Sequence, residues 1–138
     1  MSEDRPWDES VDNPPDPQLV TMAHACFDFA RAGDIERLRA YIENGVPANL
    51  TDAAGNTLLM LAAYHGHPKT VRMLVDLGAD PDRTNDRGQS PLAGAILKGE
   101  DHVVAALLDA DADPDVGTPS ARATAQLFDR GELIPAAL

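Results

Sequence analysis

DAAGNTLLMLAAYHGHPKTVRMLVDLGADPD, residues 52–82, is answered one period later by DRGQSPLAGAILKGEDHVVAALLDADADPD, residues 86–115. Gly55 pairs with Gly88 at an offset of 33 residues, and the same offset pairs Thr57 with Ser90, Leu59 with Leu92, Ala62 with Ala95 and Gly66 with Gly99. Val71 pairs likewise with Val104, Leu74 with Leu107, Ala79 with Ala112, and Asp80-Pro81-Asp82 with Asp113-Pro114-Asp115. Small and apolar residues held in phase at this period signal stacked repeats, each too thin to bury its apolar face alone.

Within the central unit, Asp52-Ala53-Ala54-Gly55 reads as a turn, and Thr57 as the hydroxyl cap of a helix over residues 58–64. His65-Gly66-His67-Pro68 reads as a tight link, with Pro68 in the first turn of a second helix, where its missing N–H costs little. That helix, residues 69–77, turns Val71, Leu74 and Val75 inward and ends at Gly78. The third unit repeats the plan from Ser90-Pro91, but Asp111 stands where Gly78 stood, an uncomfortable residue for a helix end.

Counting one period back places Gly33 opposite Gly66 and Leu38 opposite Val71. Leu19, Met22, Cys26, Phe29 and Ala30 then form the stripe of a first helix beginning at Gln18, with Asp34 capping the next. The turn signals ahead of this unit have decayed, as in a terminal repeat. Beyond Gly117, Thr118-Pro119-Ser120 starts one more helix over residues 121–129, with Ala125, Leu127 and Phe128 available for packing, Gly131 as its end, and GELIPAAL trailing away as the rest of a C-terminal cap. Residues 1–18 are acidic and Pro-rich, an extended mobile arm in which Trp7, an isolated aromatic, folds back onto the domain.

Composition limits the functions. Of 138 residues, 43% are apolar but only 4% aromatic, so Ala and Leu do the packing. The net charge of −12 opposes binding to nucleic acid or anionic membranes, both of which need Lys and Arg. One cysteine, Cys26, excludes an internal disulfide. No secretory leader and no apolar run of spanning length is visible, so a cytoplasmic protein is expected.

These residues resemble the ankyrin repeat: the T-P-L-H-x-A signature stands here as Thr57-Leu58-Leu59-Met60-Leu61-Ala62 and Ser90-Pro91-Leu92-Ala93-Gly94-Ala95, and the repeat ending as Gly78-Ala79-Asp80-Pro81-Asp82. The resemblance implies an all-α solenoid of helix-turn-helix units at residues 19–51, 52–84 and 85–117 with a C-terminal cap at 118–138. The family's Pro is replaced by Leu58, and its His by Met60 and Ala93. Loss of that His, which bonds to neighbouring backbone, predicts looser links between repeats.

The resemblance implies a binding protein without enzymatic activity or cofactor, monomeric, that grips another protein with hairpin tips and first helices. Carried over position by position, the candidate partner-binding residues are Ala53, Ala54, Asn56, Tyr64 and His65 in the central unit, and Asp86, Arg87, Gln89, Leu97 and Lys98 in the third. Phe27, Asp28 and Arg31 are added from the first helix. Tyr64 leads, because a tyrosine offers area and a hydroxyl together. A second reading, from the net charge, is an acidic decoy that masks the nucleic-acid-binding surface of a basic partner; binding of that kind would weaken steeply with salt.

Other chemistry finds little footing. The alternating acids of residues 109–115 look like the start of a calcium loop, but its sixth and twelfth positions are Pro114 and Ser120 in place of Gly and Glu. His65 and His67 have no further metal ligands at useful spacing. Cys26 aligns with Leu59 and Leu92, which marks it as a small buried apolar residue; a hydrolase would need an orienting base and an oxyanion site beside it.

Overall fold

The computed structural model describes residues 16–135, so the expected fold-back of Trp7 lies outside the described residues. Helices α1 (Pro17–Ala32), α2 (Ile35–Glu43), α3 (Leu58–Tyr64), α4 (Pro68–Asp76), α5 (Pro91–Leu97), α6 (Asp101–Asp109) and α7 (Ala121–Leu127) follow in order, and a 3-10 turn, Gly131–Leu133, closes the described chain. Among these residues the sole β pairing is an isolated bridge between Thr51 and Thr57. No helix among them is long and apolar enough to cross a membrane.

Local chemistry sets the starts. Thr57 Oγ1 accepts from the Met60 N–H at 3.0 Å, and Ser90 Oγ and Ser120 Oγ accept from Ala93 and Ala123 at 3.1 Å. Each satisfies one of the orphan donors of a first helical turn, worth about 1 kcal/mol. α4 has no side-chain cap and begins with Pro68 instead. Asp16 caps α1 through the Gln18 N–H, so this helix begins at Pro17, slightly before the expected Gln18.

The helices pair as α1–α2, α3–α4 and α5–α6, and the pairs stack: α1 on α3 on α5 on α7 in one layer, α2 on α4 on α6 in the other. Side chains one period apart occupy equivalent buried seats. Cys26, Leu59 and Leu92 form one such row, Leu38, Val71 and Val104 another, and all six are buried. Each buried Leu or Val stabilises by roughly 1.5–3 kcal/mol relative to exposure. Ala62 and Ala95, fully buried, let neighbouring first helices approach closely.

The links between repeats lie away from the missing family His. His67 Nε2 is 2.7 Å from the Arg31 carbonyl oxygen, its ring lying over Gly33. Asn49 Oδ1 accepts from the Asp80 N–H, and Asp82 Oδ1 from the Asp113 N–H, both at 2.7 Å. Met60 and Ala93, in the His positions, are buried.

The C-terminal unit departs from expectation in three ways. α7 stops at Leu127, because Asp129 takes the left-handed turn (φ 56°) that Gly33, Gly66 and Gly99 take in earlier units. Gly131 opens the 3-10 turn instead of ending the helix. Within the described residues the tail does not simply trail off: Ile134 is buried in the main core, while Leu127 and Phe128, expected to pack, are exposed. Ile134 covers the last apolar face, so the cap's own first helix keeps its outer side chains in solvent.

Candidate functional site

The hairpin tips are built by two side chains. Asp52 Oδ1 accepts from the N–H groups of Ala54 and Asn56 at 2.9 Å, and Asn85 Oδ1 accepts from those of Arg87 and Gln89 at 3.0 Å. Such side-chain-to-backbone bonds replace the pairing a longer hairpin would supply. The tips are then tied together: the Asp86 N–H donates to the Ala54 carbonyl, and Asn85 Nδ2 donates to Asn56 Oδ1 at 2.9 Å and to Gln89 Oε1 at 2.8 Å. Gly55 must be glycine here, since it has φ 81° and a Cβ would strike Asp86.

Beside this polar ladder runs a groove of about 510 Å³, within the range of ligand-binding clefts. Its floor is Met60, Leu61, Ala93, Gly94 and Thr124; its walls are Ala54, Asn56, Asn85, Arg87 and Gln89 from the tips, and Tyr64, Leu97, Leu127 and Phe128 from the C-terminal ends of α3, α5 and α7. Tyr64 is 38% exposed, Leu97 50%, Phe128 54% and Leu127 76%, and these are all the exposed large hydrophobic side chains among the described residues. Their convergence in one cleft is unlike the scatter of single apolar residues found on any surface. Lys98 Nζ sits 4.9 Å from the centre of the Tyr64 ring, a cation–π contact that holds the ring at the groove's edge. Gly94 makes room for that ring, which would lie 3.3 Å from a Cβ there.

Of the residues expected at the site, the groove brings together Ala54, Asn56, Tyr64, Arg87, Gln89 and Leu97, with Lys98 at its edge. Ala53 and Asp86 are exposed on the tips. His65 is exposed just outside, its Nδ1 2.9 Å from the Leu61 carbonyl oxygen. Asp28 and Arg31 are exposed on α1 and paired with each other at 3.1 Å, away from the groove lining. Phe27 is a correction: it is 5% exposed and belongs to the core. It falls one period before Met60, a position that is buried in both units, and it is not among the groove's lining residues.

Leu127 and Phe128 were missed as site residues because the fourth unit is out of phase. Its cap, Ser120, follows Ser90 by 30 residues, whereas Ser90 follows Thr57 by 33. Counted from their caps, Tyr64, Leu97 and Leu127 share the seventh position, and His65, Lys98 and Phe128 the eighth. Cap-to-cap counting would have aligned them.

Elsewhere the titrating groups are structural. Burial pushes the Cys26 thiol up to about 11. Partial burial raises the Asp82 carboxyl, with Asp80 and Asp113 adding to the rise and the Asp113 N–H opposing it. The guanidinium of Arg122, bonded at 2.9 Å, holds Asp115 below the usual carboxylate range. Among the described residues no group of three or more His, Cys, Asp and Glu is placed to hold a metal ion.

Comparison with known proteins agrees with this architecture. The chain is 45% identical over 58 residues to an ankyrin repeat protein of Pseudomonas aeruginosa, covering 42% of this chain and 34% of that protein. It is 38% identical over 58 residues to osteoclast-stimulating factor 1 of Monopterus albus, covering 42% of this chain and 27% of the relative. It is 44% identical over 55 residues to the human ankyrin repeat domain-containing protein 29, covering 39% and 18%. The similarity thus spans about a third or less of each relative's length. The family profile described as ankyrin repeats, three copies, matches residues 24–118. That match runs across the stacked helix pairs α1–α2, α3–α4 and α5–α6, and the chain belongs to the ankyrin repeat family.

Proposed function

We propose that this chain is a regulatory or adaptor protein that holds a segment of another protein against the groove between its hairpin tips and first helices. Ankyrin repeats serve in general as protein–protein interaction modules. The observation that carries the reading here is the gathering of Tyr64, Leu97, Leu127 and Phe128 into one cleft bordered by a hydrogen-bonded polar ladder. An apolar centre with a polar rim is how protein interfaces concentrate their binding energy. No catalytic step is assigned to any residue of the groove, and no cofactor. Tyr64, Arg87 and Leu97 carry the affinity in this reading, and Asn56 and Gln89 set register through their side-chain amides.

Capture of a protein from lysate, compared between the native chain and Tyr64→Ala with Arg87→Ala, tests the face. Loss of capture in the double variant, with retention in an Arg39→Ala control on α2, is the expected result. Full affinity in the double variant would reject this face as the binding surface. Affinity carried by the groove should fall little between low and moderate salt; a steep fall would favour the acidic-decoy reading instead.

A further inference from the structure

We propose that the groove docks a second copy of this chain, in a twofold dimer that covers the concave face of both copies until an outside partner displaces one of them. The inference rests on that face being a docking surface, and it names the occupant in the protein by itself. Area is the first argument. Tyr64, Leu97, Leu127 and Phe128 are 38%, 50%, 76% and 54% exposed, and no other large hydrophobic side chain among the described residues is exposed. At about 200 Å² for a whole large side chain, these fractions leave roughly 400 Å² of the four in water. A stable interface takes about 800 Å² from each partner, a little over half of it apolar. One groove therefore supplies the apolar share of one such face.

Shape is the second. α3, α5 and α7 stack in that order, so their C-terminal ends set the four side chains in a row. Exposure rises along it. Tyr64, at one end, lies against Gly94 in the groove floor with Lys98 over its ring. Leu127, at the other end, is the most exposed of the four. The row is recessed at one end and proud at the other, a shape that fits its own copy turned end for end. Packed helices lie about 8–10 Å apart, so that reversal sets α7 of one copy over α3 of the other and brings the two α5 helices, with Leu97, to the axis. Such a contact is isologous: each pairing is made twice, and the assembly closes at two chains.

Charge is the third. The tips and the groove's edge carry Asp52 and Asp86 against Arg87 and Lys98, two of each sign. Such a face favours neither a strongly acidic nor a strongly basic occupant, and it sets no net charge against a copy of itself. The chain as a whole has a net charge of −12, so two copies repel, and they repel least where this balanced face meets its like.

Sedimentation equilibrium of the full chain reads the dimer with no other protein present. Its mass should rise from 14.7 kDa toward twice that value and stop there. The rise should fall between about 1 µM and 1 mM protein, the range of a weak homodimer. Because salt screens the repulsion, the dissociation constant should fall several-fold between about 0.05 and 0.5 M salt. Leu127→Gln with Phe128→Gln, which leaves the charge unchanged, should hold the mass at one chain while far-UV circular dichroism stays native; Arg39→Gln on α2 should dimerise as the native chain does. Leu97→Cys should link to its own copy by a disulfide on air oxidation, and Arg39→Cys should not. A mass of one chain at the highest concentration would leave the groove to an outside partner and overturn the proposal. So would a mass that climbs past two chains, a dimer that salt weakens, a dimer unmoved by the Leu127→Gln and Phe128→Gln pair, or Leu97→Cys that links no faster than Arg39→Cys. Self-association involves no second protein, so it can fail while partner capture by the groove succeeds, and the reverse.

Discussion

Asp111 offers the sharpest test of how the repeats are built. It has φ 62°, at the position where Gly45 and Gly78 end their units' second helices, and it is exposed. A left-handed conformation costs an ordinary L-residue about 1–2 kcal/mol, and Asp somewhat less because its short polar side chain tolerates it. The carboxylate also sits at the C-terminal end of α6, where the helix dipole disfavours negative charge by about 0.3–1 kcal/mol. Glycine removes both penalties but gives back about 0.5–1 kcal/mol through the freedom of its unfolded chain. Asp111→Gly should therefore stabilise by about 0.5–1 kcal/mol. Asp111→Asn keeps the tolerance and loses the charge, so it should gain a few tenths of a kcal/mol, and added salt should shrink that gain. Asp111→Ala loses the charge but also the tolerance, and should be no more stable than the native chain. The order is Gly, Asn, Asp, Ala, read as Tm by circular dichroism, where 1 kcal/mol is about 3–6 °C for a domain of this size. An alanine variant as stable as the glycine variant would refute the argument, since charge alone would then account for the effect.

Three further outcomes follow from other sites. Gly94→Ala should raise stability by up to about 1 kcal/mol through helix propensity, because the half-exposed Tyr64 ring can yield the few tenths of an ångström needed; lowered Tm would mean that the ring is fixed. Cys26, with its thiol raised to about 11 by burial, should resist maleimide at pH 8 in the native chain and react on unfolding; equal rates would contradict its place in the core. Asp82, raised by burial, contributes stability that is present below the usual carboxylate range and lost as pH rises through its raised value, whereas Asp115, lowered by Arg122, contributes stability present above that range and lost as pH falls. Asp82→Asn keeps an oxygen for the Asp113 N–H, as Asn49 does for Asp80, so its Tm should exceed the native value at pH 7 and match it near pH 3. A difference that persists in acid would show that charge is not its source.

What the sequence alone determined was periodic. Thr57 and Ser90, Leu59 and Leu92, and Gly66 and Gly99 fix where each helix starts, what it buries and where it turns, because caps, core seats and left-handed corners are local demands repeated every 33 residues. Most of the groove was readable on the same ground, from Asn56, Tyr64, Arg87 and Leu97 standing outside the core rows. Only the tertiary structure settled what happens where the period breaks. Leu127 and Phe128 stay in solvent, where Ile134 returns to close the stack and Ser120 sets α7 out of phase, while Phe27 keeps the phase and is buried as Met60 and Ala93 are. Exposure is a property of what lies across from a residue, and at an end of the stack the repeating text no longer says what that is.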